Sequence, residues 1–287
     1  MKEINNNTIN WFPGHMAKAL REMEEKIKLV DLVIVLLDAR IPYSSFNPEL
    51  KRLLGNKKTL YVLTKVDKAD NIETNKWLSY YGKDNMRAIG VDARNSATLK
   101  VVEKEATLLL KEKREKDAKK GLKPRPIRTM ITGIPNVGKS TLINTLCKKK
   151  VAQVGDKPGV TKSQQWTRIN QNLELLDTPG VLWPKFEDKK VASNLAITGA
   201  IKDTVLSLED VAVYFLDFLK EYYPNRILER YQVEERELSV NTLEKIGESL
   251  HFYLGNKDVD LEKTAQYLLQ EFRNGYLGKI TLDRIKL

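Results

Sequence analysis

The amino-acid sequence predicts an α/β protein, in which a doubly wound, mostly parallel sheet is followed by a small all-helical C-terminal domain. Five short segments are continuously apolar instead of alternating, which is typical of parallel strands covered on both faces. Helical stretches separate several of these segments, and strands alternating with helices favour a doubly wound sheet. After about residue 191 no strand pattern returns. The sequence therefore predicts a sheet domain over residues 1–190 and a helical domain over residues 200–287.

The elements of the sheet domain follow from these apolar segments and the stretches between them. The predicted strands are residues 32–39, 59–65, 86–91, 127–133 and 173–177. The predicted helices are residues 13–28 and roughly 98–120. The second helix runs into the charged segment "KEKREKDAKKGLKPRP" at residues 111–126, which Gly121, Pro124 and Pro126 interrupt.

Two long helices are predicted in the C-terminal domain. The first begins after Ser207, an N-cap residue with Asp210 three positions later, and is expected to end at Pro224. The second carries an apolar face and stops at Asn274-Gly275, a left-handed cap signal. The residues of that face are Leu261, Ala265, Leu268 and Phe272.

Composition narrows the class of protein. The 287 residues carry a net charge of +11, from 49 basic and 38 acidic residues, which favours a polyanionic partner. The single cysteine, Cys147, excludes an intrachain disulfide and a multi-cysteine metal site, as expected in a reducing compartment. The first ten residues lack a signal-peptide core, and the most apolar stretch contains Asp31 and Asp38, so no membrane span is expected. We therefore expect a soluble cytoplasmic protein.

A phosphate-binding loop follows the fourth predicted strand. The segment "GIPNVGKS" at residues 133–140 matches G-x-x-x-x-G-K-[ST], and a predicted helix follows it. Its backbone N–H groups are expected to face the phosphates, Lys139 to reach the β- and γ-phosphates, and Ser140 to ligate Mg²⁺. The predicted nucleotide contacts are Asn136, Val137, Gly138, Lys139, Ser140 and Thr141.

Two further phosphate-side elements follow in the usual order. In "DTPG", Asp177 is placed to hold Mg²⁺ and the Gly180 N–H to contact the γ-phosphate. Between the two motifs lies "GVTKS", in which Thr161 is the candidate switch threonine that ligates Mg²⁺ beside the γ-phosphate. The alternative for Thr161 is an ordinary loop threonine.

A guanine-recognition segment is present, but about seventy residues before the phosphate loop. In "TKVD", Thr64-Lys65-x-Asp67, the Asp67 carboxylate can accept hydrogen bonds from guanine N1–H and the exocyclic amine, and adenine offers no such donor pair. The stem of Lys65 can cover the base. In the next strand-end loop, Asp92-Ala93-Arg94, the Ala93 N–H can meet the guanine carbonyl. The predicted nucleotide-binding residues of these two loops are Thr64, Lys65, Asp67, Asp92, Ala93 and Arg94. Base loops before phosphate loops indicate a circular permutation, with residues 111–126 as a plausible joint.

With these motifs, the chain resembles the circularly permuted GTPases and, within them, the ribosome biogenesis GTPase A family. The stretches "NWFPGHMAKALREM" and "DARIPYSSFNPEL" are the most characteristic of that family. The resemblance implies GTP binding and hydrolysis during late maturation of the large ribosomal subunit, with rRNA binding by the helical domain. Two positions depart from the common GTPase pattern. Thr64 replaces an Asn whose amide braces the phosphate loop, and Asp92 replaces a Ser, so nucleotide affinity is expected to be weaker.

The residues that would catalyse GTP hydrolysis are harder to identify from the sequence. Where many GTPases carry a water-orienting Gln, this chain has Val181, so another group must help. His15 is the leading candidate for that group, with a packing or helix-capping histidine as the alternative. Lys139 and Thr161 are the other residues predicted to take part in catalysis. Gln164 and Gln165 are weaker candidates. Asn136 is predicted to coordinate K⁺ beside the phosphates, as in similar GTPases, or else to brace the loop.

The resemblance also sets expectations for rate and partners. A low intrinsic rate of hydrolysis is expected, because no arginine finger is evident, with stimulation by the large ribosomal subunit. Two functional classes stay open: a GTPase whose hydrolysis times its release, or an rRNA-binding factor in which GTP only sets affinity. The basic segment at residues 111–128 is interpreted locally as a solvated helix face. The expected partners are the large subunit and its rRNA, with no DNA, no membrane and a monomeric chain.

Overall fold

The computed structural model describes most of the chain. The described residues are 14–83, 86–147, 165–178, 180–183, 186, 188–233, 241–255 and 257–285, and at residues 14–17, 165 and 177 the description is limited to the backbone.

Within these residues the strands form one six-stranded sheet in the order β3-β2-β1-β4-β6-β5. All neighbouring strands are parallel except β5, which is antiparallel to β6. The strands are β1 Leu32–Asp38, β2 Thr59–Thr64, β3 Arg87–Gly90, β4 Ile127–Gly133, β5 Gln165–Arg168 and β6 Leu173–Asp177. The predicted α/β class and five of the strands are confirmed. Strand β5 was not predicted, because "QWTR" at the sheet edge contains no apolar run.

The helices of the described residues lie between the strands and after them. They are α1 Gly14–Lys26, α2 Pro48–Leu54, α3 Asn71–Tyr81, α4 Thr98–Leu109, α5 Lys111–Lys119, α6 Lys139–Cys147, α7 Lys189–Ile197, α8 Leu208–Tyr222, α9 Pro224–Tyr231, α10 Thr242–Ser249 and α11 Leu261–Asn274, with 3₁₀ turns at Ile27–Leu29 and Val66–Lys68. None of them is long and apolar enough to cross a membrane, as far as the described residues extend.

Strand β1 lies in the middle of the sheet, and every one of its side chains is buried. This explains its continuous apolar run, because helices cover both faces of a doubly wound sheet. In the pairing register Asp38 is opposite Thr64, and Leu36 is opposite Gly133. The carboxyl ends of β1, β2 and β4 therefore meet at one edge. The strand order reverses between β1 and β4, which is where doubly wound sheets bind ligands.

One predicted helix was wrong in its extent, and one predicted helix end was confirmed. Residues 98–120 form two helices instead of one, because the chain turns at Leu110, which is buried while α5 after it is solvated. In α5, all of whose residues are described, no side chain is buried. Pro224 does end α8, but it also begins α9 as its first residue, where proline costs no helical hydrogen bond.

The C-terminal helices pack as the apolar faces predicted. Helix α8 lies on α11, with the Phe215 and Phe272 ring centroids 4.9 Å apart. The Ser207 hydroxyl accepts a hydrogen bond from the Asp210 N–H at 3.3 Å, which confirms the N-cap. Gly275 has φ of 90°, the left-handed conformation expected after α11.

The segment after α11 returns to the sheet. The Leu282 N–H donates to the Arg40 carbonyl at 2.7 Å, and the Asp283 carboxylate accepts from the Ser44 N–H at 2.7 Å and the Ser44 hydroxyl at 2.9 Å. The Trp77 ring N–H donates to the Asp283 carbonyl at 3.1 Å. The helical region thus makes buried polar contacts with the sheet region. The division into domains at residues 190 and 200 stays a prediction.

Candidate nucleotide-binding site

The loops predicted to contact the nucleotide lie together at the carboxyl edge of the sheet. A Cβ atom at Gly138 would lie 3.9 Å from the Thr64 side chain and 4.0 Å from the Ala93 Cβ. A Cβ atom at Gly180 would lie 3.0 Å from the Pro135 nitrogen. The phosphate loop is therefore in contact with both base loops and with "DTPG", although these segments are widely separated in the chain.

The phosphate loop has the backbone that its sequence requires. Asn136 and Gly138 have φ of 57° and 97°, so the chain curls before α6 begins at Lys139. Gly133 passes so close to β1 that an added Cβ would lie 2.9 Å from the Leu36 carbonyl oxygen. Only glycine fits that position. The N-terminus of α6, a favourable place for an anion, follows directly.

Two of the three residues predicted to hold Mg²⁺ lie on elements that adjoin β4, and the third, Thr161, lies outside the described residues. Ser140 is in the first turn of α6, and Asp177 is the last residue of β6, paired with Ile131 of the adjacent β4. Hydroxyl and carboxylate oxygens are suitable ligands for Mg²⁺, which commonly takes one or two protein ligands together with phosphate oxygens. The donor types of Ser140 and Asp177 fit the ion, and their role as its ligands stays a prediction.

Thr64 retains a brace that its substitution for Asn was expected to remove. Its hydroxyl lies 2.6 Å from the Val137 carbonyl oxygen and 3.1 Å from the Leu37 carbonyl oxygen. A hydroxyl has one proton to donate, and the shorter distance favours the phosphate loop. Thr64 therefore ties the end of β2 to the phosphate loop through oxygen instead of an amide.

Lys65 connects the base side to the phosphate side. It adopts a left-handed conformation with φ of 58°, and its ammonium donates to the Asn136 carbonyl at 2.6 Å and to Asp38 Oδ2 at 2.9 Å. Burial lowers the pKa of Lys65 to about 8, although the neighbouring Asp38 charge acts in the opposite direction. The side chain is thus fixed in place at both ends.

Sequence reasoning missed the residues that hold Lys65. Asp38 accepts hydrogen bonds from Arg40 Nε at 3.0 Å and Nη2 at 2.7 Å. Burial acts to raise the pKa of Asp38, but the charges of Arg40 and Lys65 outweigh it and hold the pKa well below its usual range. The Arg40 guanidinium also lies 5.0 Å from the Phe272 ring centroid on α11. A charged residue at the end of an apolar strand, beside the strand-order reversal, is the signal that could have identified Asp38.

The base loops are linked by charge. Asp67 lies in the 3₁₀ turn after β2, and its Oδ2 accepts from Arg94 Nη2 at 2.8 Å. Asp92 Oδ1 accepts from the Arg94 N–H at 2.9 Å and from Arg94 Nε at 3.3 Å. Burial acts to raise the pKa of Asp92, but the hydrogen bonds from Arg94 lower it overall. Ala93, which lies between Asp92 and Arg94 in the chain, has a buried side chain next to Gly138 of the phosphate loop.

Comparison with known proteins decides the family. Residues 128–248 match the family model described as "50S ribosome-binding GTPase", beginning in the strand that carries the phosphate loop. The chain is 50% identical over 278 residues to Ribosome biogenesis GTPase A of Priestia megaterium, covering 96% of each chain. It is 49% identical over 276 residues to the Bacillus cereus protein of the same name, covering 96% of this chain and 93% of that one. The chain belongs to the ribosome biogenesis GTPase A family.

Membership makes the chain a GTPase with a circularly permuted G domain, and the fold agrees. A structure described as GNP-bound YlqF from T. maritima superposes with a TM-score of 0.63 at 24% identity, covering 93% of this chain and 98% of that one. A GDP-bound YlqF structure superposes with a TM-score of 0.66 at 22% identity, covering 92% and 99%. At these identities the likeness concerns the fold alone.

Asn136 of this GTPase makes a bracing contact. Its side-chain amide donates to the Gly199 carbonyl at 2.7 Å, just beyond the end of α7. The alternative interpretation of Asn136, a residue that braces the loop, is therefore observed. Its predicted K⁺ role stays a prediction.

The structure brings some candidate residues of this GTPase to the site and leaves others undescribed. Thr161 and Gln164 lie outside the described residues, Gln165 begins β5, and His15 is the second residue of α1. Val181 has a buried side chain, and its N–H donates to the Gly133 carbonyl at 3.0 Å. A buried aliphatic side chain cannot orient water.

Proposed function

We propose that this GTPase acts in late maturation of the large ribosomal subunit and that GTP hydrolysis times its release. The observation that supports the proposal is identity of about half over 96% of the chain to proteins named Ribosome biogenesis GTPase A. The matching family model is described as a 50S ribosome-binding GTPase. The similarity includes the helical region, so it extends beyond the nucleotide site.

The proposed nucleotide contacts divide into a base side and a phosphate side. Asp67 accepts from the guanine N1–H and amine, the Ala93 N–H donates to the guanine carbonyl, and the Lys65 stem covers the ring. On the phosphate side Lys139 neutralises the β- and γ-phosphates, and the Gly180 N–H faces the γ-phosphate. Ser140, Asp177 and Thr161 would hold Mg²⁺, which when bound neutralises charge that develops on the phosphate oxygens.

Hydrolysis needs a group other than Val181 to orient water. We assign that role to His15, whose segment is the most characteristic of the family. The Asn136 side chain is proposed to ligate K⁺ beside the phosphates in the active complex, where a cation would stabilise the transition state. Equal turnover in KCl and NaCl would remove the K⁺ role, and unchanged stimulated turnover in His15→Ala would remove the His15 role.

The positive charge of the chain is suited to binding a polyanion. The net charge of +11 favours association with phosphate backbones. In the solvated segment at residues 111–125, basic side chains outnumber acidic ones, and Arg125 pairs with Asp31 at 2.7 Å. We propose that the chain recognises rRNA of the large subunit mainly through its shape and backbone, and acts in the cytoplasm as a monomer.

A series of contacts from the phosphate loop to the helical region supports the proposal that GTP hydrolysis times release from the subunit. Gly199, which Asn136 contacts, follows α7, and Arg273 of α11 donates to the Ile197 carbonyl at 3.0 Å and the Ala196 carbonyl at 2.8 Å. Arg273 also pairs with Asp203 at 2.6 Å. A change at the phosphate loop would thus reach α11 through packed polar contacts.

The first experiment measures GTP turnover by the intact chain with and without purified large ribosomal subunits, in K⁺ buffer. We expect low turnover alone and strong stimulation by large subunits, with small subunits as the control. Equal turnover in all three samples would contradict the proposal.

The second experiment tests the timing role with a variant that binds GTP but does not hydrolyse it, for which His15→Ala is the candidate. If hydrolysis times release, this variant should remain on the subunit in the presence of GTP. Normal assembly and release would favour the alternative, in which GTP only sets the affinity for rRNA.

A further inference from the structure

A single guanidinium bridges the two carboxylates of the base loops. Arg94 Nη2 lies 2.8 Å from Asp67 Oδ2, and Arg94 Nε lies 3.3 Å from Asp92 Oδ1. The backbone also fixes the position of the Asp92 carboxylate beside Arg94, because the Arg94 N–H donates to Asp92 Oδ1 at 2.9 Å. The Thr98 hydroxyl donates to the Asp92 carbonyl at 2.9 Å, which fixes the start of the same turn.

The bridge addresses a problem that Asp92 creates. Asp67 recognises guanine only as a carboxylate with both oxygens directed at the base edge. At position 92 most GTPases carry a neutral serine, whereas here a second carboxylate lies within reach of the same guanidinium. Two carboxylates so close repel each other, and the partly exposed Asp67 can turn away from Asp92. A guanidinium between them converts repulsion into two attractive contacts.

The bridge also leaves Asp67 able to bind. Arg94 uses one lone pair of Oδ2, and a carboxylate offers about four acceptor positions. The Arg94 side chain is 67% exposed, compared with 31% for Asp67 and 32% for Asp92, so the guanidinium lies to the solvent side of both. Its contact with Asp67 can therefore persist when the base is bound.

We propose that Arg94 is a positioning residue for guanine selection, which holds Asp67 in its binding orientation and offsets the charge of Asp92. It acts through Asp67 and not by touching the nucleotide. The role does not depend on the ribosomal partner and concerns the GTPase site alone.

The test measures affinity of the full chain for GDP and for IDP, whose base lacks the exocyclic amine. Arg94→Ala should weaken GDP binding about threefold to fivefold, the size expected for an exposed charge pair. IDP binding should weaken less, because Asp67 loses mainly its second hydrogen bond to the amine. Arg52→Ala, on the exposed face of α2, removes the same charge elsewhere and should leave both affinities unchanged.

The double variant Asp92→Ser/Arg94→Ala distinguishes positioning from direct contact. It removes the repelling carboxylate and supplies a neutral hydroxyl, so GDP affinity should return to within about twofold of the wild type. If the double variant binds GDP as weakly as Arg94→Ala, then Arg94 contacts the nucleotide itself and the proposal is wrong. A parallel loss of GDP and IDP affinity in Arg94→Ala, with a lowered melting temperature, would show a merely structural role and also overturn it.

Discussion

On the base side of the nucleotide site, the supports are buried or partly buried, and two of them come from the C-terminal part of the chain. Asp38 and Arg40 hold Lys65, while Lys68 donates to the Arg273 carbonyl at 2.8 Å and the Asp70 N–H donates to the Thr281 hydroxyl at 3.1 Å. On the phosphate side, the described brace contacts come largely from the base side itself, through Thr64 to Val137 and Lys65 to Asn136.

This difference indicates a hierarchy between the two sides. The base side, together with the segment after α11, forms a preorganised scaffold, and the phosphate loop is held against it. Preorganisation lowers the conformational cost of binding. Changes on the base side should therefore affect both stability and affinity, whereas changes at the joint between the sides should affect mainly affinity.

The largest expected effect comes from Asp38→Asn. It leaves the buried Arg40 without its bidentate partner and Lys65 without its carboxylate, and breaking a buried ion pair costs about 3 kcal/mol. The free energy of unfolding, measured by urea denaturation, should fall by that amount, and GDP affinity should fall as well. The matched control is Asp217→Asn on the exposed face of α8. A variant as stable as the control would contradict the hierarchy.

Thr64→Val should act at the joint between the two sides. Valine preserves the shape but removes the hydroxyl that donates to Val137, and a lost buried hydrogen bond of this kind costs about 1 kcal/mol. GDP affinity should fall by about fivefold to tenfold. Thr64→Ser keeps the hydroxyl and serves as the control. If both variants bind GDP equally well, then the hydroxyl does not brace the phosphate loop.

Tyr223→Phe should loosen the contact between the helical region and the base loop. The Tyr223 hydroxyl donates to Asp70 Oδ2 at 3.0 Å, and its loss should cost about 1 kcal/mol of stability. Hydrogen exchange should show faster opening at residues 68–71 and 279–282, with a small loss of GDP affinity. Tyr276→Phe removes an exposed hydroxyl and should have no effect. Unchanged exchange in Tyr223→Phe would show that the two regions are not coupled there.

A loss of similar size is expected at the opposite edge of the sheet, where Asp31, just before β1, pairs with Arg125, just before β4, at 2.7 Å and with Lys113 of α5. Burial acts to raise the pKa of Asp31, but these partners lower it from 3.8 to about 2. Because the folded-state pKa is the lower one, the stabilisation is present above pH 3.8 and is lost as pH falls toward 2.

Asp31→Asn should therefore reduce the free energy of unfolding by about 1 kcal/mol at pH 7. The difference from the wild type should shrink between pH 4 and about pH 2. Urea denaturation at several pH values measures it, and a difference that does not change with pH would exclude the ion pairs as its cause.

Much of the fold was predictable, because β1, β2 and β4 carry continuous apolar runs and Ser207 and Gly275 carry unambiguous cap signals. The phosphate loop and the two base loops were predictable because each is a short local motif. Asp38 and Arg94 were not recognised in their supporting roles, because their partners lie on other loops and the sequence does not show which carboxylate faces which cation. Strand β5 was missed because an edge strand needs no apolar run.

The contact between Asp283 and Ser44 joins residues 239 positions apart. During synthesis of this chain, the base-side strands β1 and β2 are made first and the phosphate loop is made later. The segment after α11, which hydrogen-bonds to Ser44 and Arg40, is made last of the three. Contacts of such long range form slowly and only after the intervening chain has emerged. The nucleotide site gains its full support only when residue 283 is free to fold back, so the order of synthesis delays a fully supported G domain until the helical region is also made.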